Sequence, residues 1–261
     1  MLDDLRAIVL EAGALAADHF SHLATIEVES KGHLDLVTAA DKDVETLIVR
    51  RLRSTFPDDG VYGEEGAAYS SRSGRIWVID PIDGTFNFLR GGDRWAVSVG
   101  LYENKSPSCG VVYAPIRKQL LIAGRGVPAT LNGEAVAKRS GLDRNRASCG
   151  VGLHPAVGID EQLAAIRFIL EDAKMTFRNS GCAVTDLIDV ALGEIDGYLG
   201  LGISTWDLMA IVPFLEQLNI ASTINWETVD LGDKLRFVCG TPEFLRVFSD
   251  APINAANRIH A

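Results

Sequence analysis

Hydrophobic residues recur at two different rhythms along this chain, and the change of rhythm divides it. Leu2, Leu5, Ile8, Val9, Ala12, Leu15, Ala16 and Phe20 fall at three- and four-residue intervals, which predicts one amphipathic helix over residues 2–20. The run "DLVTAADKDVETLIVRRLRSTF" repeats that period. Thr38 stands where an N-cap belongs, and Asp41 follows it in capping-box position. Short strand-forming runs come next: "GVYGEE", "GRIWVID", "WAVSVGLY", "SCGVVYAP" and "QLLIAG". Turn residues separate them, and Asn132-Gly133 in "ATLNGEAV" predicts a tight hairpin. The first half reads as two helices followed by mostly hairpin-linked strands.

From about residue 147 strand and helix alternate. "ASCGVGLH", "KMTFRN", "DGYLGLG", "ASTINW" and "LRFVCG" read as strands. Between them "GIDEQLAAIRFILEDA", "AVTDLIDVALGEI" and "WDLMAIVPFLEQL" read as helices, and "PEFLRVFS" as a last one. No low-complexity linker or internal repeat intervenes. The expectation is two α/β portions, residues 1–146 and 147–261, with a site at their interface.

Composition narrows the function. With 47% hydrophobic residues in 261 the chain can bury a full core, which excludes disorder. The 25 Lys and Arg against 35 Asp and Glu give a formal charge of −10, the wrong sign for capturing nucleic acid. Cys109, Cys149, Cys182 and Cys239 show neither a CxxC pair nor zinc spacing and are expected as buried, reduced thiols. "MLDDLRAIVLEAG" is acidic and amphipathic rather than a signal peptide, and no run of 18 apolar residues occurs. A cytoplasmic protein with no membrane segment is expected.

The chemistry concentrates in "VIDPIDGTFNF", residues 78–88. Asp80 and Asp83 close a hydrophobic strand, where two carboxylates at roughly 4 Å repel by about 4 kcal/mol at an effective dielectric near 20. A cation would relieve that repulsion. Other acids sit at element ends: Glu64 and Glu65 after "VYG", Asp207 after Trp206, and Asp35 and Asp41 around Thr38. Magnesium prefers oxygen ligands, and an Asp-Pro-Ile-Asp turn restricts the backbone so that both carboxylates can face one ion, with the Ile82 carbonyl beside them. Gly84-Thr85 would offer amide N–H groups to an anion. Metal, anion cradle and hydroxyl together suit phosphate ester hydrolysis. Singly, Glu65 fits a turn-former, Asp207 an N-cap and Asp41 a capping-box member. Haloacid-dehalogenase-type phosphatases end a strand in Asp-x-Asp-x-Thr near the chain start; the Asp-x-x-Asp spacing at residue 80 does not match.

Five ordered blocks, "KGHLDLVTAAD", "GEE", "VIDPIDGTFNF", "NSGCAVTDL" and "WD", cover nearly the whole chain. By them the chain resembles the inositol monophosphatase family of lithium-sensitive, magnesium-dependent phosphatases. The resemblance implies an α/β (α+β) five-layered αβαβα sandwich of the inositol monophosphatase and fructose-1,6-bisphosphatase type, commonly homodimeric. It implies that Glu64, Asp80 and the Ile82 carbonyl hold a first Mg²⁺, and Asp80, Asp83 and Asp207 a second, with two or three ions per site. Thr85 and Asp41 would position the attacking water. The Gly84 and Thr85 amides would receive the phosphate, Lys31 would lie near the site, and Gly181, Cys182 and Ala183 would form a substrate edge.

The same resemblance exposes two departures. Inositol-hydrolysing members carry an acid seven residues before the WD aspartate, where this chain has Gly200; Met209 stands where a small residue is usual. Inositol 1-phosphate is the default substrate by resemblance, and Gly200 predicts weakened selectivity that Gly200→Glu would restore. Alternatives are histidinol phosphate, fructose 1,6-bisphosphate or a nucleotide 3'-phosphate, or a regulatory binding protein that keeps the fold.

Overall fold

The two N-terminal amphipathic segments form α1 (Leu2–Ser21) and α2 (Ala39–Thr55), which bury their apolar stripes against each other and against one sheet. Thr38 caps α2: its hydroxyl accepts from the amides of Ala40 and Asp41, while its own amide donates to Asp41 Oδ2 at 2.8 Å. A small antiparallel pair, β1 (Val28–Gly32) and β2 (Asp35–Thr38), precedes the cap. It escapes sequence reading because so short a run carries no period. The computed structural model describes residues 1–23, 28–32, 35–249, 251 and 258–259, with side chains at all of these except 28–36 and 258–259. The Lys31 side chain therefore lies outside the described residues.

The first large sheet comprises β3 (Gly60–Gly63), β4 (Ala68–Tyr69), β5 (Ile76–Asp83), β6 (Ala96–Glu103), β7 (Ser106–Ala114), β8 (Gln119–Gly124), β9 (Val127–Leu131) and β10 (Glu134–Ala135). Its order is β10-β9-β8-β7-β6-β5-β3-β4. Only the β3–β5 pairing is parallel. Asn132-Gly133 turns the β9–β10 hairpin with both residues at positive φ. The second sheet runs β12 (Thr176–Arg178), β11 (Ser148–Leu153), β13 (Gly197–Ser204), β15 (Lys234–Gly240) and β14 (Ala221–Ser222), with β16 (Arg258–Ile259) also on β15.

Alternation along the strands sorts the first sheet's faces. Val97, Val99, Leu101 and Val111 pack toward α1 and α2, whereas Val112 and Ala114 join the central core. That core holds α5 (Ala183–Leu192), α6 (Thr205–Met209) and α7 (Val212–Gln217) between the sheets. On the far side of the second sheet lie α4 (Ile159–Glu171) and α8 (Pro242–Val247). The result is the expected αβαβα sandwich.

Three expectations of single elements need correction. "WDLMAIVPFLEQL" is not one helix but α6 and α7, broken at Ala210-Ile211; Pro213 sits in the first turn of α7, where its missing N–H costs nothing. "ASTINW" is strand only at Ala221 and Ser222, with the Thr223 amide still donating to the Val238 carbonyl, and Trp226 opens a short 3₁₀ turn instead. Glu64 and Glu65 also follow β3 rather than belong to it, in the turn toward β4.

The α6–α7 break rests directly on the first sheet. A Cβ at Gly100 would stand 2.4 Å from the Met209 carbonyl carbon, and one at Gly110 2.3 Å from Ala210 Cα. Met209 is fully buried in the central core; the close approach is made by backbone against backbone, and the two strand glycines provide it. Gly110→Ala, normally mild in a strand, should therefore overpack this contact and cost about 1–3 kcal/mol, lowering Tm by several degrees. Gly158→Ala, where nothing lies within 4 Å of the added carbon, should leave Tm nearly unchanged. Thermal denaturation of both variants measures this, and equal effects would contradict it.

Candidate active site

Strand β5 does not stop at Ile79; it runs on through Asp80-Pro81-Ile82-Asp83, and its pairing with β6 slips between Asp80 and Asp83. The proline has no amide to pair, so the slip aims both carboxylates at the seam between the sheets. Opposite them, α6 begins after β13 with Ser204 as N-cap. Asp207 closes the capping box: its Oδ2 accepts from the Ser204 amide at 3.0 Å. Oxygens of Asp80, Asp83 and Asp207 lie within 4.8 Å of one another. Glu64, Ile82, Gly84, Thr85, Gly181, Cys182 and Ala183 line the same cavity of about 710 Å³.

Asp80 is 1% exposed, and neither of its oxygens has a hydrogen-bond partner among the described residues. Burial, then the charges of Glu64, Asp83 and Asp207, push its carboxyl well above the usual range. Burial raises Asp207 to about 7, with Asp83 adding to it and the Lys234 charge opposing. Asp83 is raised to about 6 by burial, against the pull of its donors. Those donors come from the start of α5: the Cys182 thiol at 3.0 Å and the Val184 amide at 2.6 Å. An orphaned buried carboxylate between two others is a donor set that fits a hard divalent cation.

Thr85 opens α3 (Thr85–Leu89), and Gly84 before it holds φ +88. A Cβ there would meet the Arg94 carbonyl oxygen at 2.6 Å and Cys182 Cβ at 2.9 Å, so only glycine fits this turn. Thr85 Oγ1 lies 3.2 Å from Asp41 Oδ1 and 3.1 Å from the Ile82 carbonyl oxygen, and its single proton can serve one of them at a time. Asp41 is itself buried, its carboxyl raised by that burial, and its Oδ2 takes the Thr38 amide and hydroxyl. The capping box of α2 thereby also orients a residue of the site.

Sequence reasoning missed four contributors. Glu45 of α2 accepts the amides of Glu65 and Ala67 at 2.9 and 3.0 Å and so shapes the turn that carries Glu64; a Cβ on Gly63 would strike it. Asn87 bridges the carbonyls of Arg94 and Ser180, each at 2.9 Å, tying α3 to the Gly181 loop. Asp186 of α5 lines the cavity, raised by burial to about 6 with Arg178 and Arg94 opposing. Lys234 enters from β15 and donates to Ser204 Oγ at 3.2 Å. Each joins positions too far apart in sequence for spacing to reveal.

Gly200 corrects an expectation. A Cβ on it would meet the Phe237 ring at 2.5 Å and Ile203 Cγ1 at 2.8 Å. The ring packs on Tyr198 at 5.8 Å between centroids. The space beside the position of the usual acid is therefore taken by an aromatic side chain, which any side chain at 200 would have to displace.

The raised carboxyls carry a sign that can be checked. A carboxyl whose folded pKa exceeds its unfolded value stabilises the fold below the unfolded value and loses that contribution as pH rises through the folded one. For Asp83 and Asp207 the loss runs from the ordinary value of 3.8 up to about 6 and about 7. A bound divalent cation competes with those protons. The Tm gain from Mg²⁺ over chelated protein should grow between pH 5 and pH 7.5; an equal gain at both would dissociate these acids from the ion.

The profile of the inositol monophosphatase family matches residues 2–241. The chain is 36% identical over 201 residues to the Nus factor SuhB of Xylella fastidiosa, covering 76% of this chain and 72% of that protein. It is 34% identical over 209 residues to an inositol monophosphatase of Dictyostelium discoideum, covering 78% and 76%. The crystal structure of the extragenic suppressor protein suhB from Bartonella henselae superposes with a TM-score of 0.85 at 24% identity, over 95% of this chain and 98% of that one. Fold and sequence agree: this chain belongs to the inositol monophosphatase family.

Proposed function

We propose that this protein is a Mg²⁺-dependent phosphomonoesterase acting on a small polyol or sugar-like phosphate, with inositol 1-phosphate as the default substrate by resemblance. The observation that carries the reading is the cluster of Asp80, Asp83 and Asp207, in which the buried Asp80 carboxylate has no hydrogen-bond partner among the described residues. Glu64, Asp80 and the Ile82 carbonyl would hold one ion, and Asp80, Asp83 and Asp207 another. When bound, the ions supply charge neutralisation and a water of lowered pKa. Thr85 and Asp41 would position that water, and the Gly84 and Thr85 amides would receive the phosphate. The Gly181–Ala183 edge bounds the substrate. A cytoplasmic homodimer belongs to the same reading.

The name of the Xylella relative favours a second role, a regulatory binding partner on the same fold. A dedicated binder has no need of Asp80, Asp83 and Asp207 clustered in one cavity with Glu64, and their presence together supports catalysis. Phosphate release from a panel of esters, with and without Mg²⁺, tests the choice. Activity should vanish on chelation, return with Mg²⁺ and fall with Li⁺. Asp83→Asn should lower kcat by about 10³ or more, since several kcal/mol of charge stabilisation leave with the carboxylate. Turnover in excess chelator after metal stripping, or a variant at half the wild-type rate, would refute this assignment.

Filling of the Gly200 space bears on specificity. Gly200→Glu should overpack Phe237, lowering Tm and depressing hydrolysis of every ester, because the new side chain would have to displace that ring. A selective gain for inositol 1-phosphate over glycerol 2-phosphate in kcat/KM would show that Phe237 yields and that the wall accepts an acid.

A further inference from the structure

The cavity holds five acids, Glu64, Asp80, Asp83, Asp186 and Asp207, and among its described lining residues Lys234 is the only lysine or arginine. Its origin is unlike theirs. Lys234 opens β15 directly opposite Ser204 in the antiparallel pairing with β13, so the strand register, not a flexible loop, brings it to the cavity. One of its three donors goes to Ser204 Oγ, a neutral acceptor; its charge acts on the Asp207 carboxyl, but it closes no salt bridge among the described residues. Its ammonium stands 6.0 Å from the centroid of the Trp206 ring, which helps to hold it on the wall.

Position assigns the task. Gly84, Thr85 and Glu64 come from the first sheet's half, while Lys234 reaches the cavity from the second sheet beside Trp206 and Asp207. On the phosphatase reading, a phosphate seated on the Gly84–Thr85 side would leave the wall made by Lys234, Trp206, Tyr198 and Ile203 for its alcohol portion. That wall offers no carboxylate at position 200 to accept hydrogen bonds from ring hydroxyls, and Phe237 occupies the space beside that position. What it offers instead is a cation with donors to spare. We infer that Lys234 is a specificity-determining residue that favours phosphomonoesters whose alcohol portion carries a second anionic group, carboxylate or phosphate. This inference rests on the phosphatase reading above.

Matched ester pairs test it with Mg²⁺ present: glycerol 2-phosphate against 2-phosphoglycerate for a carboxylate, and fructose 1-phosphate against fructose 1,6-bisphosphate for a phosphate. A charge-assisted hydrogen bond is worth roughly 10- to 100-fold. The wild type should prefer the charged member of at least one pair by tenfold or more in kcat/KM, and the pair that shows it identifies the anion. Lys234→Met should abolish that ratio, mainly through KM, and Lys234→Arg should keep most of it. Equal loss on both members would make Lys234 a counter-charge to Asp207 and overturn the inference. A wild type that prefers the neutral members overturns it without any variant, so a misfolded Met substitution decides nothing by itself. Hydrolysis of neither inositol 1-phosphate nor any of the four esters would bring down the phosphatase reading, and this inference with it; hydrolysis of inositol 1-phosphate alone, or of the four without the preference, defeats the inference alone.

Discussion

A carboxylate drawn out of bulk water has to find donors, and the half-buried Asp83 finds them across the seam. It ends a strand of the first sheet, while the Val184 amide and Cys182 thiol that satisfy it begin a helix packed on the second. The start of α5 is also the positive end of that helix, so the bond gains from the backbone dipole. Much else follows from this contact. Gly84 must be glycine because Cys182 and the Arg94 carbonyl crowd it. Asp80, three residues earlier, lines the same cavity with no hydrogen-bond partner among the described residues.

Two further devices hold the seam at this spacing. Asp189, fully buried on α5, accepts from Arg94 at 2.8 Å and Arg117 at 2.7 Å, and also from Arg178. Arg94 and Arg117 come from the first sheet's half and Arg178 from β12, so one carboxylate gathers charges from both halves. Such a knot gains little over an apolar core, but removing one partner leaves charge stranded, which makes it a strong constraint on geometry. The third device is steric: Gly100 and Gly110 let the backbone of the α6–α7 break lie on the first sheet. Asp207 sits one turn before that break, so the glycines help set its distance from Asp80 and Asp83.

Grip and wall answer to different constraints. The acid cluster is built from strand ends and helix caps, elements that the layers hold rigidly. The wall is made of side chains: Tyr198, which lies over Gly152 and packs on Phe237 behind it, and Lys234 beside Trp206. A shared fold therefore does not carry a shared substrate. It is consistent that relatives on this fold bear both phosphatase and Nus-factor names.

What the sequence by itself determined is whatever depends on neighbours along the chain. The Thr38–Asp41 capping box, the amphipathic stripes of α1 and α2, the Asn132-Gly133 turn and the proline between Asp80 and Asp83 all act within a few residues. Spacing alone exposes them, and the DPIDGT unit with the family blocks pointed to the acids of the site. The helix break at Ala210-Ile211 was legible only in part, since a proline in a first turn is compatible with either one helix or two. Only the tertiary structure decided the pairs that join distant stretches: Asp83 with Val184, Gly110 with Ala210, Glu45 with Glu65, Lys234 with Ser204. Single residues of these types have many ordinary uses, as caps, turn-formers or solvated charges. Their meaning comes from the partner, and strand register and layer packing choose the partner. Gly200 makes the same point in reverse: the sequence showed that an acid was missing, and only the packing showed that Phe237 takes the space beside it.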